Sequence, residues 1–413
     1  METARILYLS YDGMTDPLGQ SQVLPYLKGL AKLGFSITVV SFEKPELFEK
    51  NKSIIEPITQ QNSIHWVPLR YHKKPPVLST LYDLQVLKKT VKALQRQQPF
   101  HIVHCRGYIT ALVGEWMKKK WGTKFLFDMR GFFADERVDG GIWPLHHPLY
   151  KKVYQYFKKK EKDFLLHADH VISLTETGKN IIQHFDYIPS TWQCTVIPCC
   201  ADMEHFSCEK IQSEIAQTFA EKNALQRFKQ KWFYLGSIGS WYMLPEMLDF
   251  FKTVLHHEPQ SLMAFFTHES PAIIYSLAEE KNIPQENILV TPLRRSEIPS
   301  VISLFDASVF FIKPVFSKKA SSPTKQGEIM AMGIPIICNA GVGDTEEIIR
   351  NYEAGAVIDD FTRDAYEAAY HQILEGTFNR EKAMQGACEW YSLQTGVERY
   401  AGVYRALLKH KAC

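Results

Sequence analysis

The stretch RILYLSYDGMTDPLGQSQVLPYLKGLAKLGFSITVVS, residues 5–41, decides the fold class. It begins with the apolar run Arg5–Ser10, continues through a glycine-containing loop into an apolar-periodic segment at residues 20–33, and ends with a second β-rich run, Ser36–Ser41. Gly34 is the residue expected to end the helical segment. Short apolar runs separated by a segment of helical period predict a βαβ unit of a parallel sheet.

The same alternation continues along the chain and then restarts at Lys231–Gly236, where a second glycine-containing loop follows a first strand. A length of 413 residues exceeds what one hydrophobic core usually serves. We therefore predict an α/β protein of two doubly wound, Rossmann-like domains, residues 1–195 and 196–393, with a terminal helix at 394–411 that returns to the first. Ligands are expected in a cleft at the carboxyl ends of the strands.

Composition excludes several classes of protein. Hydrophobic residues make up 45% and charged residues 23% of the chain, and the formal net charge is +3. These values are ordinary for a globular protein, so disorder and a nucleic-acid coat function are excluded. The eight cysteines contain no C-x-x-C pair that would predict a zinc ribbon. With neither a signal peptide nor a long apolar run, a cytoplasmic location is expected.

The segment SKKASSPTKQGE, residues 317–328, carries the strongest local signal. It follows an apolar strand, and Ser322 as N-cap with Pro323 at the first position predict the start of a helix. Lysines before and inside the first turn conflict with the positive end of the helix dipole. A bound anion would resolve this, held by the N–H groups of Thr324 and Lys325 and by the Lys325 ammonium. A solvated basic turn is the alternative.

Three further groups lie where ligands are expected. Glu328, one turn into the predicted helix, could accept hydrogen bonds from a vicinal diol such as a ribose, although a solvated glutamate is the ordinary interpretation. The loop Gly236-Ser237-Ile238-Gly239 lets the backbone approach a ligand, or forms only a tight turn. Gly19, in the corresponding loop of the first domain, could meet a phosphate or sugar, or belong to a mobile turn.

The stretch FDMRGFFADER, residues 127–137, combines five charged residues with aromatic ones at the end of a predicted strand. Asp128 and Arg130 are therefore candidate catalytic residues, because aromatic faces and charged groups together suit carbohydrate. His104 and Arg106 are predicted to lie beside them. A structural network of ion pairs is the alternative explanation.

Taken together, these segments resemble the retaining glycosyltransferases of the GT-B fold, specifically family 4. The resemblance covers essentially the whole chain and rests on the opening ILYLSYDGMTDPLGQSQVLPYL, on VIPCCADMEHF at Val196–Phe206, on YLGSIGSWY and above all on SSPTKQGEIMAMGIPII at Ser321–Ile337. The SPTK variant is similar to enzymes of bacterial surface polysaccharide synthesis.

The resemblance implies roles for individual residues. Glu328 matches the second glutamate of the family's E-x7-E motif, which binds the donor ribose. Thr324 and Lys325 match positions whose backbone amides hold the diphosphate. The loop Gly236–Gly239 matches the donor-phosphate loop, and Gly19 matches a first-domain loop near the donor phosphate and the acceptor.

The chain also departs from the family pattern. Ala320 stands where the first glutamate of E-x7-E is expected. Ser237 and the pair Trp241-Tyr242 occupy the places of the arginine and lysine that neutralise the diphosphate, so Lys325 is expected to supply that charge. Asp128 or Arg130 replaces the cleft histidine.

The resemblance implies transfer of a sugar, with retention, from a nucleoside diphosphate sugar of UDP or GDP type to a carbohydrate or lipid-linked acceptor. Neither a cofactor nor a metal is expected, since no D-x-D pair is placed to hold one. A nucleotide-sugar epimerase or hydrolase and a catalytically inactive nucleotide-sugar-binding protein remain the alternatives.

Charge is divided unevenly between the predicted domains. Residues 1–195 hold 27 Lys and Arg against 18 Asp and Glu, a net +9, and residues 196–413 carry −6. Much of the excess lies on one helical stretch, residues 150–164, which is rich in lysine and aromatic residues. Its basic face is either solvated or rests weakly on an anionic membrane surface, at the inner face of the membrane.

Overall fold

The computed structural model of the protein describes residues 3–376 and 378–409. The chain forms two compact units. One consists of the residues up to Pro198 together with the terminal helix that begins at Leu393, and the other is Cys199–Ser392. The predicted boundary after residue 195 lies close to this division.

The first unit is built on a parallel sheet of seven strands in the order β3-β2-β1-β4-β5-β6-β7. Its strands are β1 Arg5–Ser10, β2 Ser36–Glu43, β3 His65–Arg70, β4 Ile102–Arg106, β5 Lys124–Asp128, β6 His170–Ser173 and β7 Cys194–Val196. The order reverses between β1 and β4, which is where doubly wound sheets bind ligands at the carboxyl ends of their strands.

Helices connect these strands, as the alternating pattern predicts. They are α1 Pro17–Gln22, α2 Leu24–Lys32, α3 Pro45–Gln61, α4 Leu78–Gln97, α5 Tyr108–Trp121, α6 Phe133–Asp139, α7 Pro148–His167 and α8 Glu176–Gln183. The central strands are apolar along their whole length because helices cover both faces of the sheet. In β1, for example, the side chains of Ile6, Leu7 and Leu9 have no exposed surface.

The second unit repeats the plan with six parallel strands in the order β10-β9-β8-β11-β12-β13. The strands are β8 Gln230–Leu235, β9 Ser261–Phe266, β10 Ile288–Thr291, β11 Ala307–Phe310, β12 Ile336–Asn339 and β13 Gly355–Ile358. The helices are α9 Ser213–Lys222, α10 Leu244–His257, α11 Pro271–Glu280, α12 Ile298–Ile302, α13 Thr324–Ala331, α14 Thr345–Asn351, α15 Arg363–Leu374 and α16 Arg380–Tyr391.

The terminal helix α17, Leu393–Lys409, packs on α2 of the first unit. Its tyrosines make edge-to-face ring contacts, Tyr400 with Tyr26 at 5.4 Å and Tyr404 with Phe35 at 5.2 Å between centroids. The last two residues of the predicted helix, 410 and 411, lie outside the described residues. No helix among the described residues has the length and hydropathy to span a membrane.

Candidate functional site

The loop after β8 is shaped by two glycines in the left-handed region, Gly236 with φ 119° and Gly239 with φ 40°. The carbonyl oxygen of Ser237 accepts a hydrogen bond of 2.5 Å from the Tyr234 hydroxyl, which ties the loop to the end of the strand. A Cβ on Gly236 would lie only 3.2 Å from Nζ of Lys325. The structure therefore places the Lys325 ammonium directly against the predicted phosphate loop.

Lys325 projects from α13 into an aromatic enclosure. Its ammonium donates a 2.9 Å hydrogen bond to the Tyr234 hydroxyl and lies 3.7 Å from the centroid of Tyr242 and 5.8 Å from that of Phe310. The residue is only 8% exposed. Among the described residues, no carboxylate forms an ion pair with it. The cation is thus held by one hydroxyl and by aromatic faces.

Burial lowers the pKa of Lys325 well below its usual range, because removal from water disfavours the charged form, and the negative charge of Glu328 only partly opposes this. A buried lysine of this kind becomes a favourable site once an anion arrives, since the anion compensates the ammonium in a poorly solvated place.

Helix α13 begins at Thr324 with Pro323 as its N-cap, and no side chain caps it. This corrects the expectation that Ser322 is the cap and Pro323 the first helical residue. Instead, Ser322 Oγ accepts a 3.2 Å hydrogen bond from the backbone N–H of Cys199, in the segment that opens the second unit. Proline cannot cap with its side chain, so the first N–H groups of α13, beside Lys325, remain available to an anion.

Glu328 lies one turn beyond Lys325 on α13 and is half-buried. Burial raises the pKa of its carboxyl to about 7, although the positive charges of Arg295 and Lys325 act in the opposite direction. The nearby Asp202, which is 3.5 Å from Arg295, adds to the increase. The carboxyl of Glu328 therefore changes between its protonated and its ionised form near neutral pH. The ionised form would accept hydrogen bonds from a diol.

The sequence did not single out the aromatic side chains that form this site. Tyr234 and Tyr242 enclose Lys325, and Trp241 lies 3.7 Å from Nζ of Lys318, measured to the ring centroid. The only sequence feature that pointed to them was the pair Trp241-Tyr242, which stands where the family pattern has a basic residue. Ala320, which stands where that pattern has a glutamate, is buried.

In the first unit, the loop after β1 is organised by the buried carboxylate of Glu43. That carboxylate accepts hydrogen bonds from the N–H groups of Met14, at 2.8 Å, and Thr15, at 3.0 Å. A Cβ on Gly19 would lie 2.0 Å from the carbonyl oxygen of Gly13. The glycine at this position is thus required by contact with the loop backbone, while the predicted contact of Gly19 with a phosphate stays a prediction.

Asp128 lies at the end of β5 in a buried polar cluster of four side chains. Its Oδ2 accepts a 2.9 Å hydrogen bond from Tyr400 and lies 3.3 Å from Nε2 of His104, whose Nδ1 is 2.7 Å from the Tyr404 hydroxyl. Burial lowers the pKa of His104, and a neutral ring that carries its proton on Nε2 satisfies both contacts. The cluster links the first sheet to α17.

The charge of Asp128 is well compensated. Although burial raises the pKa of its carboxyl, the positive charge of Arg130 and the hydrogen bond with His104 outweigh that effect and lower the pKa to about 2. Arg130 lies 3.8 Å away and has a φ of 59°, a rare conformation for a residue other than glycine. Arg106 lies 3.6 Å from Asp12. Asp128 has no exposed surface, so its geometry favours a positioning role.

The lysine-rich helix α7 is partly neutralised. Lys158 pairs with Asp135 at 2.8 Å and with Glu161 at 2.6 Å, and Lys160 pairs with Glu115 and Asp163, both at 3.0 Å. These contacts reduce the basic face that the sequence suggests for membrane contact.

One group of described residues has the donor atoms of a metal site: His257, Glu367 and His371, whose ligand atoms lie within 4.8 Å of one another. His257 stacks on Tyr370, which accepts a hydrogen bond from Gln230, the first residue of β8. The group therefore lies at the opposite end of β8 from the glycine loop and is separate from the Lys325 site.

Comparison with known protein families gives two matches. Residues 20–205 match Glycosyltransferase Family 4, and residues 217–390 match Glycosyl transferases group 1. No curated protein matches the chain significantly.

Several solved structures are similar over nearly the whole chain. Sucrose-phosphate synthase from Thermosynechococcus elongatus has a TM-score of 0.74 at 14% identity, covering 99% of this chain and 100% of that one. A glycosyltransferase from Rickettsia africae has a TM-score of 0.71 at 15% identity, covering 99% and 100%. Anabaena HepE in complex with UDP and glucose has a TM-score of 0.67 at 12% identity, covering 96% and 98%. These likenesses show the GT-B fold.

Proposed function

Since the chain belongs to the GT-B glycosyltransferases of family 4 and group 1, we propose that it transfers a sugar with retention from a nucleoside diphosphate sugar to an acceptor hydroxyl. The observation that carries the proposal is the buried Lys325 ammonium, which lies against the Gly236 loop without a carboxylate partner among the described residues. An anionic group bound here would compensate the ammonium, and the diphosphate of such a donor is a group of that kind.

In the proposed complex, Lys325 and the first N–H groups of α13 bind the diphosphate, and Glu328 accepts hydrogen bonds from the ribose hydroxyls. The loop of Gly236, Ser237 and Gly239 lies against the phosphates. The bond between the anomeric carbon and the phosphate oxygen breaks, and the electron pair leaves with the diphosphate. Fixed positive groups stabilise that charge. The acceptor oxygen bonds to the anomeric carbon on the face that the diphosphate leaves, and its proton passes to the departing phosphate oxygen.

The first unit binds the acceptor in this proposal. Asp128 acts as a positioning residue that holds β5 and α17 together, and it orients Arg130, whose side chain contacts the substrates. The donor is of UDP or GDP type, and UDP is the ligand named for the similar Anabaena protein HepE. A role in surface polysaccharide synthesis is the pathway proposed for the SPTK variant of the family.

The central test compares Lys325→Met with Lys222→Met, a control at the exposed end of α9. A thermal-shift panel of UDP- and GDP-sugars identifies the donor, because a ligand that binds only the folded protein raises its apparent stability. Lys325→Met should abolish that shift and lower kcat about 100- to 1,000-fold, the usual effect of losing one donor to a developing anion. Lys222→Met should behave as wild type.

Unchanged donor affinity in Lys325→Met would overturn the assignment of the diphosphate site. Release of nucleoside diphosphate is then measured with and without acceptor. Turnover that does not depend on acceptor would identify an epimerase or hydrolase, and donor binding without any turnover would identify a binding protein.

A further inference from the structure

Two helices of the second unit bring three side chains with metal-binding atoms together at its surface. His257 is the last residue of α10, and Glu367 and His371 lie on α15, which packs against α10. Residues four positions apart, such as Glu367 and His371, share one face of a helix. One ligand atom of each side chain lies within 4.8 Å of the other two, and the imidazole centroids are 5.2 Å apart. The packing of the two helices therefore gathers donor atoms that are distant in the sequence.

The imidazole of His257 is held in place by its neighbours. It stacks on Tyr370, with 4.9 Å between the ring centroids and 16° between the planes, and Tyr370 itself is buried. Nε2 of His257 is also hydrogen-bonded to a carboxylate oxygen of Glu367. This hydrogen bond lowers the pKa of the Glu367 carboxyl and so favours its ionised form. An oriented imidazole beside an ionised carboxylate supplies two ligands of a metal site in advance.

The helix backbones also favour a cation at this place. His257 ends α10, and His371 lies in the last turn of α15. The C-terminal end of a helix carries a partial negative charge, so two helix ends attract a cation bound by these residues. The opposing charge is that of Arg363, whose Nε lies 3.5 Å from the other carboxylate oxygen of Glu367. The Arg363 side chain is 71% exposed, so it can turn into solvent when an ion binds.

The donor atoms determine which ion fits. Two imidazole nitrogens and one carboxylate oxygen suit Zn²⁺, which binds readily to such mixed sets, whereas Mg²⁺ and Ca²⁺ require mainly oxygen ligands. A surface ion pair between His257 and Glu367 is the simpler explanation of their contact. That ion pair does not account for His371, whose ligand atom converges on the same point from the next turn of α15.

We propose that His257, Glu367 and His371 bind one Zn²⁺ ion, with water completing its coordination, and that the ion stabilises the second unit by joining the C-terminal ends of α10 and α15. The ion takes the place of the hydrogen bond between His257 and Glu367. The group lies at the opposite end of β8 from the glycine loop. The zinc site is thus apart from the proposed donor site, where no metal is expected, and it does not depend on the proposed function.

The test is titration calorimetry of the full chain with Zn²⁺ alone, in a Cys388→Ser background because an exposed thiol also binds zinc. This parent chain should bind one ion at the site. His371→Ala and Glu367→Gln should each weaken that binding about 100-fold or more, since loss of an outer partner alone costs about 10- to 100-fold. His256→Ala is the matched control, an exposed histidine beside His257 in the last turn of α10 but outside the group, and it should bind as the parent does.

Thermal unfolding measures the stabilising role separately. Zn²⁺ should raise the melting temperature of the parent chain and of His256→Ala, because it binds the folded protein, and should not raise that of His371→Ala. Equal zinc affinities in His371→Ala and His256→Ala would overturn the inference, as would the same stabilisation by Mg²⁺. Donor-induced thermal shifts should be equal with and without Zn²⁺. A donor shift that requires Zn²⁺ would place the ion in the donor site and contradict the separation of the two sites.

Discussion

Asp128 and Lys325 are buried ionisable residues, one at the carboxyl end of each sheet, and the protein compensates their charges in opposite ways. Asp128, in the first unit, receives a hydrogen bond from Tyr400, contacts His104 and has Arg130 at 3.8 Å. Lys325, in the second unit, has one hydroxyl and several aromatic faces. Removing either charge from water costs free energy. The protein offsets this cost with its own groups at Asp128, whereas at Lys325 a bound anion would have to offset it.

Compensation of a buried charge is therefore a physical criterion that distinguishes a structural residue from one that binds a ligand. A buried charge that is compensated mainly by groups of the fold adds to stability, as the lowered pKa of Asp128 indicates. A buried charge without a counter-charge reduces stability, and a protein retains it where a ligand benefits from it. Measuring variants of the two sites separately tests whether their charges are compensated in these different ways.

The largest expected contrast is between the stabilities of Asp128→Asn and Lys325→Met at pH 7. The fall of the pKa of Asp128 from 3.8 to about 2 corresponds to about 2 kcal/mol of stability, which Asp128→Asn should remove. Lys325→Met should instead raise the free energy of unfolding, because it replaces a poorly solvated ammonium by an apolar side chain in an aromatic enclosure. Urea denaturation of both variants measures the two effects.

The pH dependence supplies a control for the first prediction. The contribution of Asp128 is present above its ordinary pKa of 3.8 and is lost as pH falls through about 2, so the difference between wild type and Asp128→Asn should shrink over that interval. A difference that stays constant down to pH 2 would contradict the ionic origin of the effect. A decrease in stability of Lys325→Met would remove the contrast altogether.

An intermediate effect is expected at Glu328. With a pKa of about 7, its carboxyl is mostly protonated at pH 6 and mostly ionised at pH 8. If the ionised form accepts the ribose hydroxyls, donor affinity should rise about tenfold over this range. Titration calorimetry with the identified donor measures this, and Glu328→Gln should bind more weakly with a flat profile. A wild-type affinity that falls with rising pH would exclude this role.

The smallest effect is expected at Tyr404. Tyr404→Phe leaves Nδ1 of the buried His104 without its 2.7 Å partner and should cost about 1 kcal/mol of stability. Tyr366→Phe, a buried tyrosine of α15 in the second unit, is the matched control and should change stability by less than about 0.5 kcal/mol. Equal losses in both variants would show that the polar cluster is not what stabilises α17.

How far the candidate site could be predicted differs between its parts. The position of Lys325 at the start of a helix after a strand followed from local patterns, because N-terminal signals and strand ends are local features. The helix starts one residue later than predicted, since Pro323 takes the cap position and Ser322 bonds to Cys199 instead. The enclosure by Tyr234 and Tyr242 depends on how residues of β8, its loop and α13 meet, which no local pattern reports.

The sequence by itself predicted two doubly wound units and the terminal helix, because hydrophobic periodicity is a local property of the chain. It indicated the family through the resemblance of its motifs. Tertiary structure alone decided which charges are compensated. It brought Tyr400 and Tyr404 to a carboxylate and a histidine far away in the sequence, and it placed Lys325 among aromatic rings. The energy of a charge depends on the atoms around it, and those are set by packing between distant segments.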